Sequence, residues 1–139
     1  MGFAPATVTR ELTMEVVVPA DGPQHVPVVM RYDTADPYAV CAEFHSAPGH
    51  AVAWRFAREL MSNGISAPAG EGDVRIWPFS CHAAGRVRIA LTSPEGQALV
   101  QAATSEVVEF LSESYSLCPP GEEAGHLDVD GALRALLAS

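Results

Sequence analysis

Alternation of apolar and polar side chains dominates the first two thirds of the chain. Over residues 7 to 18, Val8, Leu12, Met14, Val16 and Val18 take one side and Thr9, Glu11, Thr13 and Glu15 the other. That period of two marks a half-buried strand. Asp21-Gly22-Pro23 interrupts it, and Val26, Val28, Met30 and Tyr32 supply a second strand. Pro27 points to an edge or a strand start, because proline offers no ladder N–H. Tyr38, Val40, Ala42 and Phe44 form a third strand with Cys41, Glu43 and His45 on its other face. The second and third strands are joined by Arg31–Val40, a dense polar turn. Asp33 can accept from backbone N–H groups two residues on, Asp36 is pushed out of the α region by Pro37, and Pro37 fixes its own φ. Asp33, Asp36 and Pro37 are therefore read as structural turn residues.

After the Ala47-Pro48-Gly49-His50 turn, Val52, Trp54 and Phe56 continue the alternation. From Ala57 the pattern becomes that of a short helix, with Gly64 as its C-terminal cap. Residues 67–72 form a loop. Val74 and Ile76 pair with Val87, Ile89 and Leu91 around a connection from Pro78 to Gly85. Ser93-Pro94-Glu95 predicts a helix beginning at Pro94, with Ser93 as N-cap. Thr104-Ser105-Glu106 is a second start signal, so two consecutive helices kinked near Ala102–Thr104 are expected. Val107, Val108, Leu111 and Tyr115 form the apolar face, with Phe110 beside it. Cys118-Pro119-Pro120-Gly121 stops the helix, and a last short helix capped by Asp128 or Asp130 packs Leu133, Leu136 and Leu137 inward. The result is a single α+β domain over residues 1–139, with twisted antiparallel β-sheets and C-terminal helices.

Composition narrows the function. An apolar fraction of 48% in 139 residues favours a homo-oligomer. No run of about 18 apolar residues is present, and the three cysteines, Cys41, Cys81 and Cys118, are odd in number and widely spaced. Free thiols and a cytoplasmic protein are expected. The net charge is -9, and all eight basic residues are arginine. Such a balance disfavours sequence-independent nucleic-acid binding, which depends on neutralising phosphates.

Candidate chemistry is sparse. Arg75 and Trp77 share one face of their strand, and Arg86 and Arg88 share one face of the next. These residue types dominate interface hot spots, so the four form a candidate partner-binding patch. The plainer reading is an outer face whose arginines pair with local carboxylates such as Glu71 and Asp73. Five histidines and three cysteines lack metal-ligand spacing. Asp33 and Asp36 have no nucleophile or histidine tied to them, and Gly70-Glu71-Gly72-Asp73 lacks the lysine and helix of a phosphate loop. No catalytic residue, cofactor or metal is assigned. Between Gln97 and Gly131 lie seven acidic residues and no basic one; the run reads first as a solvated helix face, and otherwise as a surface that repels nucleic acid and attracts a basic partner.

Several blocks together resemble the SsgA-like family of actinomycete sporulation and cell-division proteins: RYDTADPYAV at 31–40, Phe44, WRFAREL at 54–60, GEGDVRIWP at 70–78, LTSPEGQAL at 91–99 and PPGEE at 119–123. The resemblance spans nearly the whole chain. It implies a non-enzymatic adaptor in placing the sporulation septum, which recruits or positions the tubulin-like protein FtsZ with related family members. It also implies a Whirly-like fold, a homotrimer and a location at the division septum. Fold does not carry function, so the nucleic-acid activity of Whirly proteins does not transfer. The alternative is a single-stranded nucleic-acid-binding regulator that stacks bases on the Arg/Trp face.

Overall fold

The strands predicted from period-two alternation all form, and they join into one sheet. The computed structural model describes residues 5–17, 24–81 and 84–127. Its elements are β1 (Thr7–Val16), β2 (Gln24–Asp33), β3 (Ala39–Ala47), β4 (His50–Ala57), α1 (Arg58–Gly64), β5 (Val74–Cys81), β6 (Ala84–Ser93), β7 (Gly96–Ala103) and α2 (Thr104–Leu117), followed by a 3-10 turn at Glu123–His126. The sheet is antiparallel throughout, in the order β4-β3-β2-β1-β7-β6-β5. Two meanders thus meet at the β1–β7 seam, where Glu15 faces Gln101 and Val16 faces Val100. α1 packs on both edge strands, β4 and β5, so the sheet curls and brings its edges to one helix. The expected final helix and the Asp21-Gly22-Pro23 break lie outside the described residues.

The inner face of the curled sheet carries Leu12, Met14, Val28, Met30, Val40 and Ile89, all buried, and α2 closes it with Val107, Phe110 and Leu111. α2 lies on β1, β6 and β7. Its buried stripe is 107, 110, 111 and 114, an i, i+3, i+4, i+7 pattern. The expected face is therefore rotated: Val108 is 45% exposed, while Phe110 and Ser114 are fully buried. Ser114 is tolerated there because its hydroxyl donates to Leu111 O at 2.6 Å. Arg10, at an inward position of β1, reaches out from under α2 to Glu109 Oε2 at 2.6 Å and to Glu113. Much of the acidic helix face is thus tied to β1 rather than left to a basic partner.

Three expectations are corrected. No helix begins at Pro94. Ser93 Oγ does accept from the Glu95 N–H at 3.2 Å, but the residues form a β-turn, and Gly96 follows at φ 149°, a value that no residue within a helix takes. β7 then pairs with β6 along its length, and the second start signal, Thr104, begins α2. The Pro78–Gly85 connection is also mostly strand, because β5 and β6 pair as far as Cys81 and Ala84. Pro78 fits since β5 is an edge. Gly64 ends α1 without a left-handed cap, for the following Ile65 has φ -66°. A Cβ at Gly64 would stand 2.3 Å from Ile76 Cγ2, so glycine is needed there for close approach of α1 to β5.

Pro27 proves to lie in an interior strand, between β1 and β3. The β2–β3 ladder begins one residue later, at Val28, so proline sits just outside it. Among the described residues no helix is long and apolar enough to cross a membrane.

Candidate interaction face

Strand parity places Arg75, Trp77 and Phe79 of β5 and Arg86 and Arg88 of β6 on the outer face, opposite the buried Ile76, Val87 and Ile89. Trp77 lies across from Arg88 and Phe79 across from Arg86, so the four predicted residues form one contiguous patch. Phe79 joins them. Its odd position, shared with Arg75 and Trp77, was the available signal, obscured by reading Pro78 as a connection.

The arginines do not pair with Glu71 or Asp73. The Arg88 guanidinium lies over the Phe79 ring, 3.6 Å from its centroid, and its Nε donates to Gln101 Oε1 at 3.1 Å. Gln101 Nε2 donates in turn to Glu15 Oε2 at 2.8 Å, a polar chain across β6, β7 and β1. Arg86 Nη1 donates to the Gly85 carbonyl at 3.1 Å. Arg75 is exposed and has no hydrogen-bond partner among the described residues. The outward positions of β5, β6 and β7 therefore carry three guanidinium groups and no carboxylate.

Asp33, Asp36 and Pro37 act as turn residues. Asp33 Oδ1 accepts from the Ala35 N–H at 2.8 Å, and the Asp36 N–H donates to Asp33 O at 2.9 Å. Asp36 Oδ2 receives Arg55 Nε at 2.7 Å. The buried Tyr32 hydroxyl donates to Pro37 O at 2.9 Å.

Sequence reading missed Arg58. Charged residues at a helix start are ordinarily solvated, yet Arg58 is 2% exposed. Its guanidinium lies between two rings, 4.6 Å from the Tyr32 centroid and 4.9 Å from that of Tyr115. Nη1 donates to Cys118 O at 2.8 Å, and Nη2 donates to Glu123 Oε2 at 3.1 Å. Hydrogen bonds from its own backbone N–H, from Arg58 and from Gly121 hold the Glu123 carboxyl below its usual range, against the opposing effect of burial. Burial pushes the Tyr32 phenol well above its usual range, with Arg58 opposing. A pocket of about 480 Å³ lies beside this cluster, lined in part by Tyr38, Arg58, Glu59, Tyr115 and Glu123. The Arg58 donors point into protein acceptors, so the cluster is a clasp joining α1, α2 and the 119–123 segment.

The fold and this face define a class: an α+β domain built on a curled seven-stranded antiparallel sheet, with a solvent-facing arginine and aromatic surface. Residues 26–123 match the family described as Streptomyces sporulation and cell division protein, SsgA. The chain belongs to that family. It is 46% identical over 132 residues to the sporulation-specific cell division protein SsgB of Streptomyces coelicolor, covering 95% of this chain and 96% of that protein. It is 47% identical over 136 residues to SsgB of Salinispora tropica, covering 96% and 95%. Two solved structures share the fold. One, from work on SsgB mutations and longitudinal cell division during sporulation of S. coelicolor, aligns with a TM-score of 0.85 at 44% identity, covering 91% of this chain and 99% of that one. The other, an SsgA-like sporulation-specific cell division protein from Thermobifida fusca, aligns with a TM-score of 0.88 at 38% identity, covering 97% and 98%.

Proposed function

We propose that this chain is a non-enzymatic adaptor of sporulation-specific cell division, which acts at the septum by recruiting or positioning FtsZ together with related family members. Its end-to-end likeness to proteins named SsgB, 46% identical over 95% of the chain, carries the reading. We assign its working form as a homotrimer, in keeping with the high apolar fraction of 48%. Arg75, Trp77, Arg86 and Arg88 form the contact face in this reading, since they expose arginine and aromatic surface away from the core.

The nucleic-acid reading has little to support it. Arg88 already stacks on Phe79, which occupies an aromatic and a guanidinium that base stacking would need, and the chain carries a charge of -9. Co-sedimentation with FtsZ polymers tests the adaptor reading. The wild-type chain should pellet with polymer, and Arg75→Ala with Trp77→Ala should pellet less while keeping the wild-type melting transition. A wild-type chain that neither pellets nor alters polymer amount overturns direct contact.

A further inference from the structure

The outer face of β5–β7 is unbalanced in a way that the rest of the molecule is not. The chain has 17 acidic and eight basic residues, yet the outward positions of these three strands hold Arg75, Arg86 and Arg88 with no carboxylate among them. Residues two apart on a strand are roughly 6.7 Å apart, and neighbouring strands lie about 4.8 Å apart. Arg86 and Arg88 are thus like charges on one strand face, with Arg75 alongside on β5. The nearest acid in the network, Glu15, is already bonded to Gln101 at 2.8 Å. Like charges at this spacing repel, and a partner that brings carboxylates removes the repulsion as it gains ion pairs.

The edge of β5 limits how such a partner can bind. Ile76 and Ala69 exchange backbone hydrogen bonds at 2.8 and 3.0 Å, so the even residues of β5 turn their backbone groups away from β6, toward the free edge. Ala69 occupies one of these positions, and at the next Pro78 has no N–H. Proline and a covering loop are the devices by which proteins close sheet edges. Strand addition is thereby blocked, and recognition falls to the side chains on the face. Trp77, half-buried between Arg75 and Phe79 along β5, offers an apolar seat beside the guanidinium groups.

Resting on the adaptor reading for the site itself, we infer that this face binds an acidic segment of a partner protein, whose carboxylates meet Arg75, Arg86 and Arg88 while an apolar side chain covers Trp77. A peptide suits it better than nucleic acid. A short acidic segment touches only the cationic patch, whereas a long polyanion also meets a chain of net charge -9.

Fluorescence anisotropy with the full chain tests this, using three labelled probes: a glutamate-rich peptide with one central phenylalanine, the same peptide with lysine for glutamate, and a single-stranded oligonucleotide of equal length. The acidic peptide should bind with affinity that falls as salt rises. Arg75→Glu with Arg86→Glu should weaken it at least about tenfold, which is about 1.4 kcal/mol. Arg31→Glu, on the outer face of β2, should leave it unchanged, and Arg75→Glu alone serves if the pair fails to fold. Equal binding of the lysine peptide, no effect of charge reversal, or tighter oligonucleotide binding through the same arginines each overturns the inference. The two readings fail separately. If wild type binds the acidic peptide but does not pellet with FtsZ, the adaptor reading falls and this one stands; if reversal abolishes FtsZ pelleting but no acidic peptide binds, the opposite holds.

Discussion

Replacing Arg58 by alanine should be among the most damaging single changes in the chain. The guanidinium is enclosed, with a side chain 3% exposed, and its Glu123 partner is 16% exposed. Truncation removes the donor to Cys118 O, leaves the part-buried Glu123 carboxylate without its guanidinium partner, and opens a gap between the rings of Tyr32 and Tyr115. Breaking a buried pair by deleting one partner costs about 3–5 kcal/mol. Domains of this size are stable by roughly 5–15 kcal/mol, so Arg58→Ala should unfold a large fraction of the protein in mild urea. Urea unfolding of Arg58→Ala, Glu123→Gln and the double variant measures the total and the pairwise part. A coupling between the two sites of roughly 1–2 kcal/mol is expected. Arg58→Lys should recover only part of the loss, because an ammonium cannot span two acceptors in a plane while lying between two rings. A loss under about 1 kcal/mol for Arg58→Ala, the value of a solvent-exposed pair, refutes the clasp.

The same cluster gives stability a pH dependence at both ends. The Glu123 carboxyl is held below its ordinary 4.5, so its contribution is present above that value and is lost as pH falls through the depressed folded value; Glu123→Gln should flatten the acid limb of a urea midpoint against pH. The Tyr32 phenol is raised from 10.0, so its contribution is present below pH 10 and is lost as pH rises beyond it; Tyr32→Phe should flatten the alkaline limb, read in the same way. Gly64→Ala should cost about 1–3 kcal/mol by overpacking against β5, measured by thermal melting. Ile76→Ala should relieve only part of that clash, because the Ile76 Cβ itself would stand 2.6 Å from the new methyl.

Strands were legible wherever one face meets the core and the other meets water. β1 to β3 follow the alternation closely because burial falls on every second residue, as in Leu12 and Met14 or Met30 and Tyr32. The patch of Arg75, Trp77, Arg86 and Arg88 was legible for the same reason. Local signals failed where two structures share them. Serine followed by proline and glutamate starts a helix or a turn equally well, and the choice at Ser93 was made by Gly96 together with the pairing of β7 to β6 and to β1, the last of which lies far off in sequence. Arg58 was not legible because its burial depends on Tyr32 from β2 and on Tyr115, Cys118 and Glu123 from beyond β7. No short window of sequence contains that environment.

Three of the blocks that carry the family resemblance meet at this one residue. RYDTADPYAV supplies Tyr32, Pro37 and the Tyr38 carbonyl that receives the Arg58 N–H at 2.8 Å. WRFAREL supplies Arg58, and PPGEE supplies Glu123. They are best explained as a scaffold that closes the curled sheet, since the polar groups of Tyr32, Arg58 and Glu123 are spent on one another and on the backbone of the chain. GEGDVRIWP is different in kind. Gly70, at φ 95°, lets the loop approach β5 so closely that a Cβ would lie 2.4 Å from Val74 O, and the same block then presents Arg75 and Trp77 outward. A loss-of-function screen would therefore mix two causes. Substitutions around Arg58 would score by unfolding the protein, whatever its partner. Only outer-face variants that keep the melting transition, such as Arg75→Glu, report on what the protein binds.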